Sequence, residues 1–403
     1  MKKTILILGG GWGGLTAAHA LKGVLPNEYR IAVIEKNKSF VFYPSFLRAM
    51  IGETSGLKYI ESPFKNLLNK DLEIINEEVI RINPEKKTVY TNAQTIQADF
   101  IIIAMGAELY PETIPGFAEH CLNLYDTKGA FNIYQKLKDF NKGKIAFLIT
   151  RTPFRCPPAP YEAALLTEWF MREKGVRNDV EIAVYTPEKF PMPSAGEEVG
   201  EALKQILNTH DIKFFPEHSV SKIEGEANKI IFSNNIEAGY DLLIAVPPHG
   251  APKAIVDSGL TNSSGYIPAH PQTMEILSNV EELTTCYPGV YAIGDSAGIM
   301  LLNWKYLPKG GVFAEEEAHV VTRNIASIIK NEKPTASFNG QGICYVDTGD
   351  NMAAEGAGDF YAYPDPVVKL SMPSIEGRKA KHEFERIFEW WFTEYQTNNT
   401  YKI

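Results

Sequence analysis

Four cysteines, Cys121, Cys156, Cys286 and Cys344, are the side chains of this 403-residue sequence best suited to electron and sulfur transfer. None falls in a C-x-x-C pair, and none shares a zinc-type spacing with histidines. Structural disulfides are rare in the cytoplasm, so a pair that oxidises there is redox-active; otherwise the four are buried thiols. Cys156 has the most unusual surroundings. It lies in TRTPFRCPPAPYEAA, residues 150–164, directly after KIAFLI, an apolar run that reads as a buried strand. A phosphate-gripping turn would place glycines at this point. Here Pro157, Pro158 and Pro160 follow the cysteine, and no glycine occurs between Lys144 and Gly175. Proline has no N–H to offer a phosphate and its φ is fixed. Arg151 and Arg155 remain as groups that could hold a phosphate by side chain. A nicotinamide site in this segment is expected to be lost or repurposed.

The second chemistry-bearing set is at the N-terminus. TILILGGGWGGLTAAHAL reads as strand, glycine turn and helix, with Gly9, Gly11 and Gly14 in a G-x-G-x-x-G pattern. Such glycines allow a tight turn, close approach of backbone to a pyrophosphate and tight helix packing, and the helix N-terminus favours the phosphates. The strand YRIAVIE ends at Glu35, twenty-one residues after Gly14, where a carboxylate can accept from a ribose 2′-hydroxyl. Two later segments share one layout. In ADFIIIAMGAELYPETIPG (98–116) and YDLLIAVPPHGAP (240–252), Asp99 and Asp241 each precede an apolar strand and a breaker-rich loop. In PGVYAIGDSAG (288–298) a strand ends at Gly294 and Asp295, a carboxylate suited to a sugar-like hydroxyl chain.

These residues need elements to hold them. The echo around Asp99 and Asp241 predicts an α/β fold of two Rossmann-like, FAD/NAD(P)-type three-layer domains, one inserted in the other, plus a C-terminal β/helical segment. The expected boundaries are 1–110 for the first part of the nucleotide domain, 111–255 for the second Rossmann-like domain, 256–330 for the return part and 331–403 for the C-terminal segment. LPKGGVFAEEEAHVVTRNIASIIK (307–330) reads as a glycine turn at Gly310 and a long amphipathic helix. GQGICYVDTGDNMAAEGAGDFYAYP is hairpin-like. KAKHEFERIFEWWFTEY puts Phe384, Ile387, Phe388, Trp391 and Tyr395 on one helical face, with Arg378, Lys379, Lys381 and Arg386 beside it. That face suits a bilayer interface or docking on the protein body, and periodicity does not separate the two.

Composition bounds the function. Apolar residues make up 44% and charged residues 22%, as in a globular protein with a sizeable core, and the net charge of −9 argues against a nucleic-acid partner. No apolar run reaches the roughly 18 residues of a membrane span. MKKTILILGGGWGG is basic and then apolar, but the apolar run ends in glycines, so it reads as a first strand rather than a signal peptide. The expected location is cytoplasmic, with peripheral contact on the inner face of the membrane through the C-terminal helix.

G-x-G-x-x-G, Glu35, Ala104–Gly106 and VYAIGD together resemble the two-dinucleotide-binding-domain flavoproteins. The resemblance implies FAD, with Gly9, Gly11 and Gly14 at the pyrophosphate and Glu35 at the adenosine ribose. It also implies Val79 at the adenine, Gly106 in the first flavin turn, and Gly294 and Asp295 at the ribityl chain. Gly310 and Lys309 then stand at a helix N-terminus that faces the flavin ring. FRCPPAPYE, GICYVDTGD and LPKGGVFAE resemble, more closely, the sulfide:quinone oxidoreductase and flavocytochrome c sulfide dehydrogenase family. That resemblance implies a redox-active pair, Cys156 and Cys344, beside the flavin, and an acid, Glu162, six residues after Cys156. The quinone-using members also carry a third cysteine near the position of Cys121; Cys286 reads as structural. The implied activity is oxidation of sulfide to sulfane sulfur or polysulfide, with electrons passed to a membrane quinone, in what is expected to be a homo-oligomer that binds no metal. The rival readings are a flavocytochrome c-type sulfide dehydrogenase flavoprotein, an NAD(P)H:quinone reductase, and a non-catalytic flavin-binding protein.

Overall fold

The computed structural model describes residues 3–53, 60–67 and 72–393, and their side chains except for 66 and 387–393. The first strand, Thr4–Leu8, is buried along its whole length and reads TILIL, the continuous apolar pattern of a strand covered on both faces. It is central in a parallel sheet ordered Val290–Ala292, Phe100–Ile103, Thr4–Leu8, Arg30–Ile34, Glu73–Ile75. A second parallel sheet runs Leu122–Asn123, Leu242–Val246, Gly143–Ile149, Val180–Tyr185, Ile212–Phe215. The chain leaves the first sheet after Ile103 and returns to it at Val290, so the second sheet is built from an insertion.

The echo seen in the sequence has a structural counterpart. Asp99 accepts a hydrogen bond from the Thr4 N–H at 2.8 Å, and Asp241 accepts from the Lys144 N–H at 2.7 Å. Each acid, placed just before its own strand, thereby pins the first residues of the central strand beside it. In both sheets the carboxylate satisfies a backbone donor at the sheet's end.

The remaining elements close the molecule over the two sheets. Helix Trp12–Val24 packs on helix Gly311–Ile329. An antiparallel sheet is formed by Gln341–Gly349, Met352–Asp359 and Val367–Leu370. Its first strand lies against helix Ala159–Glu173, which begins just after Cys156. The C-terminal helix, Ile375–Thr393, packs on the strand Met352–Asp359. No helix among the described residues is long and apolar enough to cross a membrane.

Candidate active site

A cavity of about 990 Å³ runs from the glycine turn at the N-terminus to the two cysteines of the insertion and the C-terminal sheet. That is the upper end of the range for small-molecule sites, roughly 300–1,000 Å³, and suits a ligand as long as a dinucleotide. At one end, the turn after Leu8 is shaped for close approach. Gly9 has φ 103°, and a Cβ on it would stand 2.3 Å from the Ala104 carbonyl oxygen; a Cβ on Gly14 would stand 2.0 Å from the Gly9 oxygen. Gly11, by contrast, has open space where its side chain would be and borders the cavity. Glu35 follows the second strand and accepts from the Gly10 N–H at 2.8 Å and from Asn37 at 2.8 Å. Those bonds hold the carboxylate at the cavity wall with Val79 and Gly106. This is a cradle for a pyrophosphate and an adenosine ribose, and the residues present fit FAD.

Further along, Gly294 has φ 62° and gives its N–H to Glu317 at 2.6 Å. Burial pushes the Glu317 carboxyl up to about 8 and holds Asp295 above the usual carboxylate range. Lys309 is buried and pushed down to about 8 by burial. Its ammonium donates to the carbonyls of Asp295 and Ala297 at 2.8 and 2.9 Å and lies 3.5 Å from the Tyr266 ring centroid. The lysine thus fastens the Gly294–Asp295 loop beneath the N-terminus of helix Gly311–Ile329, whose cap is Gly310.

At the other end lie Cys156 and Cys344, both half-buried and both free thiols. Cys156 has a φ of 50°, in the left-handed region that costs a non-glycine residue about 1 kcal/mol or more. The conformation is over-determined by its neighbours. Its N–H donates to the Lys309 carbonyl at 2.7 Å, its carbonyl accepts from Ala159 N–H at 2.9 Å, and the Tyr125 hydroxyl reaches the Arg155 carbonyl at 2.9 Å. Cys344 sits in the strand Gln341–Gly349 directly opposite Gly356. A Cβ on Gly356 would stand 3.0 Å from the Cys344 Sγ, so glycine at that position leaves the sulfur its space. Burial pushes both thiols up to about 11; for Cys156 the nearby Cys344 adds to the rise and Lys381 opposes it.

Glu162 is in the first turn of helix Ala159–Glu173, as its spacing predicts, but it does not simply face the helix dipole. It is buried and ion-paired with Lys381 of the C-terminal helix. This alters the expected role of that helix's cations. Lys381 is buried and Arg378 half-buried against the body, where Arg378 meets Asp347 at 3.0 Å, and Glu385 pairs with Arg48. They hold the helix on the protein. The side chains of Ile387, Phe388 and Trp391, and all of Tyr395, lie outside the described residues.

Cys121 does not line the cavity. Its thiol packs on the second sheet's core cluster with Phe117 and Val220, and burial pushes it far up. Cys286 lies apart from the cavity too, with its Sγ 3.5 Å from the Ile276 carbonyl.

The side chains around the insertion's proline-rich turn find their partners within the protein. Arg155, a candidate phosphate ligand in the sequence, is buried, stacks 3.7 Å over the Tyr43 ring and gives its guanidinium to the Tyr125 carbonyl at 2.7 Å. Glu188 lies three residues after strand Val180–Tyr185. It is buried and accepts from the hydroxyls of Tyr161 and, at 2.9 Å, Thr186. Burial pushes its carboxyl up to about 7. Tyr161 comes from the proline-led helix itself, so that helix is tied to the end of strand Val180–Tyr185 by a buried hydrogen bond. Sequence reading missed Lys381, Glu317 and Glu188. Glu162 offered one clue, since an acid forced inward needs a cation.

Comparison with known proteins agrees with this geometry. Residues 3–145 match the family of pyridine nucleotide-disulphide oxidoreductases. Over 375 residues, 89% of this chain and 79% of the relative, the sequence is 24% identical to the mitochondrial sulfide:quinone oxidoreductase of Mus musculus. Over 407 residues, 97% of the chain and 90% of the relative, it is 25% identical to the sulfide-quinone reductase of Aquifex aeolicus. The crystal structure of the Aquifex aeolicus sulfide:quinone oxidoreductase superposes with a TM-score of 0.84 at 23% identity, covering 97% of this chain and 91% of that one, which establishes the shared fold.

Proposed function

We propose that this chain, similar over nearly its whole length to sulfide:quinone oxidoreductases, is an FAD-dependent enzyme of that type, oxidising sulfide to sulfane sulfur through Cys156 and Cys344. The observation that carries the reading is that one cavity joins a dinucleotide cradle to two cysteines more than 180 residues apart in sequence, while the turn after the insertion's central strand carries prolines in place of glycines. Without those glycines the turn is a poor seat for a nicotinamide dinucleotide, which favours another reductant, and the cysteines are the groups suited to take its electrons.

The chemistry is thiol–disulfide exchange. Hydrosulfide attacks one sulfur of a Cys156–Cys344 disulfide: a new S–S bond forms, the Cys–Cys bond breaks, and its electron pair leaves on the other cysteine as thiolate. Two electrons then leave the thiolate–persulfide pair, which closes around the added sulfur atom, and the proton of the hydrosulfide is released. Glu162, on the same cavity wall, would receive it. FAD, when bound, supplies the two-electron acceptor, which a quinone reoxidises. Gly9, Gly11, Gly14 and Glu35 would hold its pyrophosphate and ribose, and Gly294 and Asp295 its ribityl chain. The quinone would be drawn from the membrane at the C-terminal helix, with the protein bound peripherally. Cys121, which does not line the cavity, is given no part in these steps.

The reading is tested by turnover. Purified protein with FAD, given sulfide and decylubiquinone, should reduce the quinone in proportion to sulfide, and C156S or C344S should lose at least about 100-fold of that rate. Equal rates with NADH as donor would overturn it in favour of an NAD(P)H:quinone reductase.

A further inference from the structure

Glu162 lies six residues after Cys156 and Asp347 lies three residues after Cys344, so each cysteine has an acid on its own element. One side chain meets both acids. Lys381, from the C-terminal helix, is ion-paired with Glu162 and has Asp347 at 3.8 Å; all three are buried. An ammonium has three N–H donors, and Glu162 takes one. Lys381 borders the same cavity as the two cysteines. Its charge acts on the Cys156 thiol in the sense that favours the thiolate, against burial and Cys344.

We propose that Lys381 is a positioning residue for the sulfur chemistry: its ammonium, oriented by Glu162 and Asp347, stabilises the anionic sulfur at Cys156, so that docking of the C-terminal helix completes the site. The inference rests on the proposed sulfide reading for its role in turnover, but the electrostatic claim is a property of the thiol itself. Opening the disulfide turns a neutral pair of sulfurs into an anion inside a cavity where burial disfavours charge. A fixed cation from a separate element offsets that cost only while the helix is seated. The charged and titratable groups around the pair are Glu162 on the proline-led helix, Cys344 and Asp347 on the strand, Arg378 and Glu385 on the C-terminal helix, and Arg48, Glu53, Tyr125 and Asp295 from the first part of the chain and the flavin loop. Arg378 pairs with Asp347 and Arg48 with Glu385, while Lys381 pairs with Glu162 and also acts on the sulfur.

The test is the ionisation of Cys156 in the reduced holoenzyme, read as its rate of alkylation by iodoacetamide from pH 7 to 10, with the Cys156 peptide quantified by mass spectrometry. Burial pushes the Lys381 ammonium down to about 8, so the comparison is read at pH 7, where Lys381→Met is expected to slow Cys156 alkylation about 10-fold, equivalent to a pKa raised by about one unit. Lys381→Arg is expected to stay within about threefold of the parent, which a purely structural role for the lysine would not produce. Should Lys381→Met fail to fold, the double variant Lys381→Met/Glu162→Gln removes both charges together and is expected to show the same slow alkylation. A parent-like profile in whichever of these two folds overturns the proposal. Loss of sulfide oxidation in the parent protein would sink the functional reading while leaving the alkylation result to judge Lys381.

Discussion

At the scale of single residues, several buried ionisable groups have identified partners, and the partners make predictions. Glu188 has a folded-state carboxyl pushed from its ordinary value up to about 7 by burial. A raised pKa means the folded protein holds this proton more tightly than the unfolded chain. The associated stability is therefore fully present below about pH 4.5 and is lost as pH rises through 7. Relative to Glu188→Gln, the parent should lose on the order of 2–3 kcal/mol between pH 4.5 and 7.5, a difference visible in paired thermal melts across that range. Gly14→Ala presses a methyl group to within 2.0 Å of the Gly9 carbonyl oxygen, so the variant should purify without its yellow colour and melt several degrees lower. The glycines, Glu35 and Asp295 could be found in the sequence because their backbone and hydrogen-bonding tasks impose residue types at fixed spacing. Cys156 and Cys344 were legible as a pair only through resemblance, since nothing in their spacing links them. Lys381 was legible as a cation on a helix, and its placement against Glu162 was not, because periodicity does not say what covers a face.

Among elements, the junction that matters is the strand Gln341–Gly349 against the helix Ala159–Glu173, with the C-terminal helix laid across both. The hairpin and the helices could be read from alternation, turn residues and apolar spacing. Their mutual packing could not, because it joins segments separated by most of the chain. Gly356 is a sensitive point in this junction. Gly356→Ala places a methyl group 3.0 Å from the Cys344 Sγ, and it should cost about 1–3 kcal/mol of stability and slow closure of the cysteine pair. Urea unfolding and thiol titration during reoxidation measure the two effects.

For the molecule as a whole, the inserted second sheet copies the architecture of the first but not its ligand site. Both sheets use an acid before a strand, Asp99 and Asp241, to pin a neighbouring strand's backbone. That repeat is why the two-sheet plan was visible in the sequence. The two diverge at the turn after the central strand, where glycines accept a dinucleotide in one and prolines present Cys156 in the other. The C-terminal helix then ties the halves with three cations, two of its own and Arg48. A chain ending at Pro373 leaves Glu162 and Asp347 buried without their cations and should lose about 3–5 kcal/mol, measured as a lower melting temperature.

The central claim is that electrons enter at the cysteines and not from a nicotinamide. Anaerobic rapid mixing of the FAD-loaded protein with sulfide, following flavin absorbance, tests it most directly. The account predicts fast bleaching by sulfide in the parent, bleaching slowed at least about 100-fold in both C156S and C344S, and negligible bleaching by NADH. Bleaching by sulfide at the parent rate in both serine variants would contradict it.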